Sequence, residues 1–424
     1  MLKLRRATVV ETRHAHDAKP AARRPADATA AELEAEQRLV VELAAVGGVS
    51  AGQDAAPARR EAIADVALVG HAQVGDEVIV NTQALDLGLG SGGFDVVHVN
   101  LTRGLAGEAA QSHGDDAANV MKLNYTSLQH AVVPVEGAGG GSLALPIERP
   151  TAVLALHGQL AAFAFAFAQG APGARLGFVQ TEGGALPGGH SRTVRALRER
   201  GLLAGHVTAG AAFGGEGEAM TTAGALQHGL GVLGWDAAVC GPGPGIVGSG
   251  TPLGHGGMVA LDSAHVALAL GCPTLLVARM SSGDERSRHR GLSHHSLTVL
   301  DLLLEPVTVA LPAGMRSPVG ADLRAGLQSA FRSGGTMPSE SSGGQQALAL
   351  QVEQTGPARP ARIARHDWRR ARVDLPAYAS SGLPAQTMGR TLADDPLFFA
   401  AALAGGSVLA ELAAELSEAV AQEA

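Results

Sequence analysis

From Thr151 onward the sequence repeats one pattern: a short apolar run, a glycine-rich turn and a longer run with helical periodicity. Strands that alternate with helices in this way form right-handed βαβ units and a mostly parallel sheet. We therefore predict a doubly wound, Rossmann-like α/β domain over residues 151–314. The predicted strands cover residues 152–156, 175–180, 205–209, 237–241, 274–278 and 307–311, and the predicted helices cover residues 159–169, 191–200, 218–229, 258–270 and 293–304.

The first 125 residues show a different pattern, in which short apolar or alternating runs are separated by turn signals. Such runs predict a β-rich domain, either a small barrel or a sandwich, with an inserted loop at residues 14–30. We assign residues 126–150 to a linker and residues 315–424 to a C-terminal extension. That extension combines a Ser/Gly-rich loop near residues 332–345 with a pair of closing helices divided at Gly405 and Gly406.

Composition narrows the class of protein. The formal net charge is −8, with 17% charged residues, and this acidic balance argues against a general nucleic-acid or membrane-surface binder. The two cysteines, Cys240 and Cys272, fall in apolar runs and are expected to be free and buried. We expect a cytoplasmic protein whose partner is a small ligand, and the sequence leaves a homo-oligomer possible.

Ligands of open α/β sheets bind at the carboxyl ends of the strands, so the loops at that edge are the candidate sites. The loop after the fifth predicted strand is the most informative, because it combines cationic and imidazole side chains with a serine at a helix start. These residues are Arg288, His289, Arg290, Ser293, His294 and His295.

Ser293 is predicted to be the N-cap of the following helix, which places His294 and His295 in its first turn. The helix dipole and the nearby arginines disfavour a charged imidazole there, so we expect neutral histidines that act as general bases or ligands. Adjacent residues on a helix point about 100° apart. We therefore expect one of the two rings to face the site and the other to face the core.

The loop after the fourth predicted strand is rich in glycine, which lets backbone amides approach an anion ahead of a helix. A glycine-rich turn without a ligand explains the same residues equally well. The candidate ligand-binding residues of this loop are Gly243, Gly245, Gly248, Gly250 and Thr251.

Glu182 directly follows a predicted strand and is a candidate to position a water or hydroxyl. A metal site would use His289 with His294 or His295 and one carboxylate. The carboxylate candidates are Glu182, Glu216 and Asp284. Arg288 and Arg290 would repel a bare cation and attract an oxyanion, so the sequence favours an anion as the direct contact.

The remaining polar residues near these loops have simpler explanations. We expect His157 to be a hydrogen-bonded core histidine and Ser191 to cap a helix. His190 and His255 are expected near the surface at the ends of loops.

At these loops the sequence resembles a bacterial family, the domain of unknown function 3866. The resemblance covers most of the chain, about residues 74–311, with a further match at 387–396. The segments that carry it are residues 88–93, 181–187, 213–215, 241–251 and 288–295. This chain has Ala211 at a position where the family pattern has histidine, and His255, Gly256 and Gly257 where that pattern has Phe-Ser-Gly. The family implies no established reaction, and the sequence identifies no particular cofactor.

The sequence therefore predicts an enzyme, a hydrolase or group transferase, that acts on a small anionic, phosphorylated or nucleotide-like ligand. His294 or His295 would transfer protons, Glu182 would position a water, and the arginines would bind the anion. Two alternatives stay open: a metal-dependent hydrolase that uses His289, His294 and Glu182, and a non-catalytic binding or sensor protein.

Overall fold

The computed structural model of the chain describes residues 2–13, 36–44, 58–88, 93–104, 118–137, 145–249, 251–313 and 362–423. The predicted loops at 14–30 and 332–345, and the candidate Gly250, lie outside the described residues. The chain divides into two compact units, Met1–Val133 and Pro134–Ala424.

The first unit is built on a closed five-stranded barrel with the strand order β1-β2-β3-β5-β4. All neighbouring strands are antiparallel except β3 and β5, which are parallel, and this is the topology of the OB-fold barrel. The strands are β1 (Leu4–Arg13), β2 (Glu36–Leu43), β3 (Arg59–Asp65), β4 (Glu77–Asn81) and β5 (Asp95–Asn100).

Alternation along these strands explains the barrel core. In β1, Ala7 and Val9 are buried while their neighbours are at least partly exposed, because successive side chains of a strand point to opposite faces. Val78 and Val80 of β4 fill the interior in the same way. The prediction of a β-rich N-terminal domain is confirmed. The unit also contains α1 (Val66–Val69), α2 (Gln83–Asp86) and the antiparallel pair β6 (Val120–Lys122) and β7 (His130–Val132).

The second unit contains an eight-stranded sheet in which every neighbouring pair is parallel. The strand order is β11-β10-β9-β12-β8-β13-β16-β17. The strands are β8 (Thr151–Leu154), β9 (Leu176–Thr181), β10 (Gly205–Ala209), β11 (Gly217–Ala219), β12 (Ala237–Pro242), β13 (Thr274–Val277), β16 (Thr308–Ala313) and β17 (Asp367–Arg372).

Helices cover both faces of this sheet, which is why its central strands are buried along their whole length. One apolar core holds α3, α4 and α9, and the other holds α5, α6 and α7. The doubly wound α/β fold predicted from the sequence is confirmed. The helices are α3 (Leu160–Gly170), α4 (Arg192–Glu199), α5 (Thr222–Gln227), α6 (Val259–Ala269), α7 (His294–Leu302), α8 (Leu375–Ser380) and α9 (Pro396–Glu423).

The C-terminal helix α9 corrects one expectation. A pair of helices divided at Gly405 and Gly406 was predicted, but both glycines lie inside one continuous helix. A Cβ at Gly406 would overlap the Phe163 carbonyl oxygen of α3, so the glycine permits close approach of two helices instead of breaking one.

Residues Pro396–Leu416 of α9 are long and apolar enough to cross a membrane, with a mean hydropathy of 1.8. The stretch is, however, 83% buried within the fold. Its apolar side chains Phe398 and Phe399 belong to the core against α3. Its position in the protein core therefore explains why this helix is long and apolar.

Two short antiparallel ladders complete the second unit. β14 (Met280–Ser281) pairs with β15 (Gly291–Leu292), and β18 (Gln386–Thr387) pairs with β19 (Arg390–Thr391). Both ladders position residues of the site described next.

Candidate functional site

The β14–β15 ladder closes the histidine-rich loop onto the start of α7. Because Met280 pairs with Leu292, the residues on either side of the ladder meet. The Arg279 backbone amide donates to Ser296 Oγ at 2.8 Å, and the Ser293 amide donates to the Arg279 carbonyl at 2.9 Å. The end of β13 is thereby held beside the first turn of α7.

Three histidines converge at this point. His289, His294 and His295 each offer a ring nitrogen, and these nitrogens all lie within 4.8 Å of one another. The ring centroids of His294 and His295 are 4.2 Å apart, and each lies 4.8 Å from that of His289. Imidazole nitrogens at such spacing can bind a transition metal ion with modest adjustment.

The expectation that His294 and His295 would diverge is wrong. Their Cα positions do differ by one helical step, but both residues start the helix, and helical side chains point back toward the N-terminus. No preceding turn of α7 occupies that space. Both rings therefore extend past the N-terminal end of α7, toward His289.

His255 joins the same group, which corrects its assignment to the surface. It is 8% exposed, and its ring stacks on that of His295 with centroids 3.4 Å apart and planes at 13°. His255 precedes α6, and α6 packs beside α7 on one face of the sheet. We call His255, His289, His294 and His295 the histidine cluster.

Burial favours the neutral form of three of the four cluster histidines. Desolvation, with the nearby Arg279 and Arg286 guanidinium groups, lowers the pKa of His289 to about 3. Desolvation and the His255 ring lower the pKa of His295 to about 2, and desolvation also lowers the pKa of His255. The neutral imidazoles predicted from the sequence therefore follow from burial first and from neighbouring cations second.

Two rings of the cluster differ in their hydrogen bonds: the His289 ring has a partner, and the His255 ring does not have one among the described residues. Ser293 caps α7 as predicted, accepting from the His295 amide, and its hydroxyl lies 2.8 Å from His289 Nδ1. Among the described residues, neither ring nitrogen of His255 has a hydrogen-bond partner of good geometry. The nearby Pro252 carbonyl only partly offsets its low pKa.

Arg279 is a functional candidate that the sequence interpretation missed. Its guanidinium is 3% exposed, and its NH1 lies 3.4 Å from His295 Nδ1. NH2 donates to the Asp284 carboxylate at 3.0 Å. The available signal was its position directly after a buried strand, the same signal that selected Glu182.

Asp284 is committed to arginines. Although its own burial opposes ionisation, hydrogen bonds from Arg286 and the charge of Arg279 hold the pKa of its carboxyl well below the usual range. Arg390 adds a third guanidinium contact at 3.4 Å. These contacts use the carboxylate oxygens, so Asp284 does not complete a metal ligand set with the histidine cluster.

The segment after β18 holds this loop from the other side. Asp395 accepts from the Ser281 hydroxyl at 2.6 Å, from the Ser282 amide at 2.7 Å and from Arg390 at 3.0 Å. Met388 in the β18–β19 turn places its sulfur 3.7 Å from Arg279 NH2. The segment 387–396 therefore packs directly on the histidine-rich loop.

The two arginines proposed as an anion clamp lie on this loop in different states. Arg290 is exposed, and its Nε donates to the Asp284 carbonyl at 2.9 Å. Arg288 is half-buried, and its Nε has no hydrogen-bond partner within the part of the chain that the structure describes. Arg288 therefore has a buried N–H donor that no described residue satisfies.

The glycine-rich loop reaches the cluster by its far end. Gly248 and His255 form an isolated antiparallel bridge, and Thr251 Oγ1 accepts from the Gly254 amide in the turn between them. Gly245 adopts a left-handed conformation with φ of 71° and is exposed. A Cβ at Gly243 would overlap the Ala185 carbonyl oxygen, so this glycine permits contact between two loops.

Glu182 is exposed at the neighbouring loop, and the next residue, Gly183, packs against the Gly256 backbone beside His255. Glu182 is thus near the chain that carries the cluster, without a described side-chain contact to it. Of the other predicted carboxylates, Glu216 pairs with Arg198.

His157, in the loop after β8, forms a second buried pair with Ser191, which ends the loop after β9. His157 Nδ1 lies 2.9 Å from the Pro242 carbonyl, so it carries the proton, and Nε2 accepts from the Ser191 hydroxyl at 2.7 Å. Ser191 also accepts from the Val194 amide as the N-cap of α4. The predictions of a core histidine and a capping serine are confirmed.

A family model described as "Protein of unknown function (DUF3866)" matches residues 61–406, most of the chain. A search of curated proteins found no match to the chain.

Proposed function

Because the chain belongs to this family of proteins of unknown function, we propose a function from its site alone: a metal-dependent hydrolase that acts on a small anionic substrate at the carboxyl edge of the sheet. The observation that carries the proposal is the convergence of His289, His294 and His295, all buried or half-buried, with ring nitrogens within 4.8 Å of one another.

The donor set suits a divalent transition metal. Three neutral imidazoles are a known ligand set of catalytic zinc, which keeps a fourth position open for water or substrate. Low pKa values favour this role, because a protonated imidazole cannot ligate. Ser293 accepts from or donates to His289 Nδ1, which orients that ring and leaves Nε2 for the metal. A bound metal would supply a Lewis acid and an activated water.

The surrounding charge supports an anionic substrate, either phosphorylated, nucleotide-like or carboxylated. Arg279 lies against His295, and the half-buried Arg288 has an Nε without a partner in the described structure. Guanidinium groups bind phosphate and carboxylate through paired hydrogen bonds. Exposed Glu182, next to the loop that packs on Gly256, is our candidate to position the attacking water.

A second candidate function is a metal-free hydrolase or group transferase in which His294 or His295 is the general base. The contact of 3.4 Å between Arg279 NH1 and His295 Nδ1 favours it, since a guanidinium opposes a cation at that ring. In this case Arg288 and Arg279 would bind the anion directly, without a metal.

We also propose that the protein acts in the cytoplasm with a small ligand as its partner. Both cysteines are free and buried, which suits a reducing compartment, and the one long apolar helix among the described residues is mostly a core element.

Elemental analysis of the purified full chain tests the proposal. We expect close to one zinc, manganese or other transition metal ion per chain, and hydrolysis of p-nitrophenyl phosphate or a nucleotide that disappears with a chelator and returns with the metal. In His294→Ala the metal should be lost, because the ligand set falls from three imidazoles to two.

His71→Ala is the matched control, since His71 is an exposed histidine of the barrel unit. It should keep the metal content of the wild type. If the chain takes up no transition metal after exposure to zinc, manganese and cobalt, the hypothesis of a metal-dependent hydrolase is wrong. Hydrolysis that persists in the metal-free chain would support the second candidate.

A further inference from the structure

Arg279 is a buried cation with unused hydrogen-bonding capacity beside the histidine cluster. It is 3% exposed, and its Nε has no hydrogen-bond partner among the described residues. A guanidinium carries five N–H donors, and a buried donor without a partner is unfavourable. NH1 makes only the long contact of 3.4 Å with His295 Nδ1. NH1 is therefore the guanidinium nitrogen that faces the cluster.

The carboxylates behind Arg279 are shared with other cations. Three guanidinium groups, of Arg279, Arg286 and Arg390, contact the two buried carboxylates of Asp284 and Asp395. Arg279 is the most buried of the three, with a side chain that is 3% exposed, and Arg286 is 49% exposed. A buried guanidinium that shares its counter-ion with two other cations is favoured by a further opposite charge.

Hydrogen bonds hold Arg279 beside the cluster. Its NH2 donates to Asp284, its backbone amide donates to Ser296, and its carbonyl accepts from the Ser293 amide at the start of α7. These bonds favour the observed position of the guanidinium over one farther from the cluster. A divalent cation bound at His295 would experience the guanidinium at short range in a poorly screened site.

We propose that Arg279 is the oxyanion-binding residue of the site, and that metal and oxyanion bind cooperatively because the oxyanion lies between the metal and the guanidinium. This inference rests on the proposed metal site. The oxyanion accepts from Arg279 N–H and offers its charge to the metal, so each ligand removes the repulsion that opposes the other. Coupling between two binding sites is reciprocal, so phosphate must tighten metal binding by the factor by which metal tightens phosphate binding.

Arg279, and not the exposed Arg290, then determines the substrate class: a molecule whose reacting group is a phosphoryl or carboxylate oxyanion small enough to reach a buried guanidinium. Arg288 contributes at the rim. Neutral esters and amides lack the charge that Arg279 requires.

The experiment measures the affinity of the full chain for Co²⁺ by its visible absorption, with and without inorganic phosphate. In the wild type, phosphate should raise the Co²⁺ affinity by about tenfold or more, within the range of about 5- to 150-fold usual for coupled sites. In Arg279→Met the affinity without phosphate should rise or stay equal, and the phosphate effect should fall below about twofold.

Arg175→Met is the matched control, because Arg175 is exposed and precedes β9 at the opposite edge of the sheet. It should keep the full phosphate effect. Arg279→Lys keeps the charge without the paired donors and should keep part of the effect, which guards against a Met variant that does not fold. Acetate in place of phosphate tells a carboxylate preference from a phosphoryl preference.

The outcomes separate the two proposals. If Co²⁺ does not bind under any condition, the metal site itself is wrong. If Co²⁺ binds and phosphate leaves its affinity unchanged, the metal site stands and the role of Arg279 is overturned. Equal phosphate effects in the wild type and in both folded Arg279 variants would overturn it as well.

Discussion

Two groups of buried histidines lie in the α/β unit, and they differ in what their ring nitrogens do. His157 has a partner on each side, the Pro242 carbonyl at 2.9 Å and the Ser191 hydroxyl at 2.7 Å. In the histidine cluster the rings mainly contact one another, and His255 lacks a hydrogen bond of good geometry to any described residue. We call the first group, to which His206 also belongs, the saturated group, and the histidine cluster the open group, because the ring nitrogens of His255 lack such partners among the described residues.

Burial and low pKa do not distinguish the two groups. Desolvation lowers the pKa of His157 to about 4 and that of His206 to about 3, values close to those in the cluster. His206 also has a polar partner, Gln180 Oε1 at 3.2 Å, and stacks on Phe178. A perturbed pKa is thus a weak sign of function when the ring is satisfied, and the unused nitrogen is the stronger one.

The largest expected effect is stabilisation of the wild type by metal. A ligand that binds only the folded chain stabilises it by about 4 kcal/mol at about 1,000 times its Kd. We therefore expect urea unfolding in excess zinc to show a gain of that size, which a chelator removes.

His294→Ala should lose this gain, and His157→Asn should keep it, because only the former removes a ring nitrogen of the cluster. Equal stabilisation by zinc in the two variants would show that the two groups of histidines do not differ in metal binding. A gain that His157→Asn loses and His294→Ala keeps would show the reverse of what we expect.

The second effect is a pH dependence of stability to which His157 contributes. The folded pKa of His157 is about 4, below its ordinary value of 6.5, so the unfolded chain binds the proton more tightly. Its contribution to stability is complete above pH 6.5 and is lost as the pH falls from 6.5 to 4. Each pKa unit corresponds to about 1.4 kcal/mol, so the loss amounts to about 3 kcal/mol.

The measurement is urea unfolding of metal-free wild type and His157→Asn at several pH values between 7.5 and 4. The wild-type curve should fall more steeply than that of the variant over this interval. Parallel curves would show that His157 titrates normally in the folded chain.

The third effect is the stability cost of breaking the saturated pair at neutral pH. In His157→Asn the shorter side chain cannot reach both partners, so a buried hydroxyl or carbonyl loses its bond, at about 1 to 3 kcal/mol. Thermal unfolding measures this loss. Ser191→Ala serves as comparison and should cost at least about 1 kcal/mol, because it removes the helix cap and also the hydroxyl that donates to His157 Nε2. A His157→Asn variant as stable as the wild type would contradict the structural role.

The fold could be predicted from local patterns because the sheet is parallel and covered on both faces. Buried parallel strands are short apolar runs, and the predicted strand at 205–209 coincides with β10, Gly205–Ala209. The helix α9 was missed as a single element because its two glycines suggest a break. Only the tertiary contact of Gly406 with α3 shows why glycine is tolerated there.

The cluster was predicted only in part, for a geometric reason. His289, His294 and His295 lie close in sequence and were found as one motif, whereas His255 is brought to them by the packing of α6 beside α7. Arg279 ends an apolar run and carries no motif of its own. Both depend on contacts between distant segments, which spacing along the chain does not encode.

The smallest expected effect tests whether His255 is itself a metal ligand. His255 stacks on His295 but does not belong to the three histidines whose nitrogens lie within 4.8 Å of one another. We expect His255→Asn to weaken metal affinity by about tenfold, the lower end of the range of about 10- to 100-fold that residues in contact with metal ligands typically contribute. The check is a competition titration with a chromogenic chelator, using His71→Ala as the unchanged control. A loss as large as that of His294→Ala would make His255 a fourth metal ligand. A smaller loss would make it a residue that only supports the His295 ring.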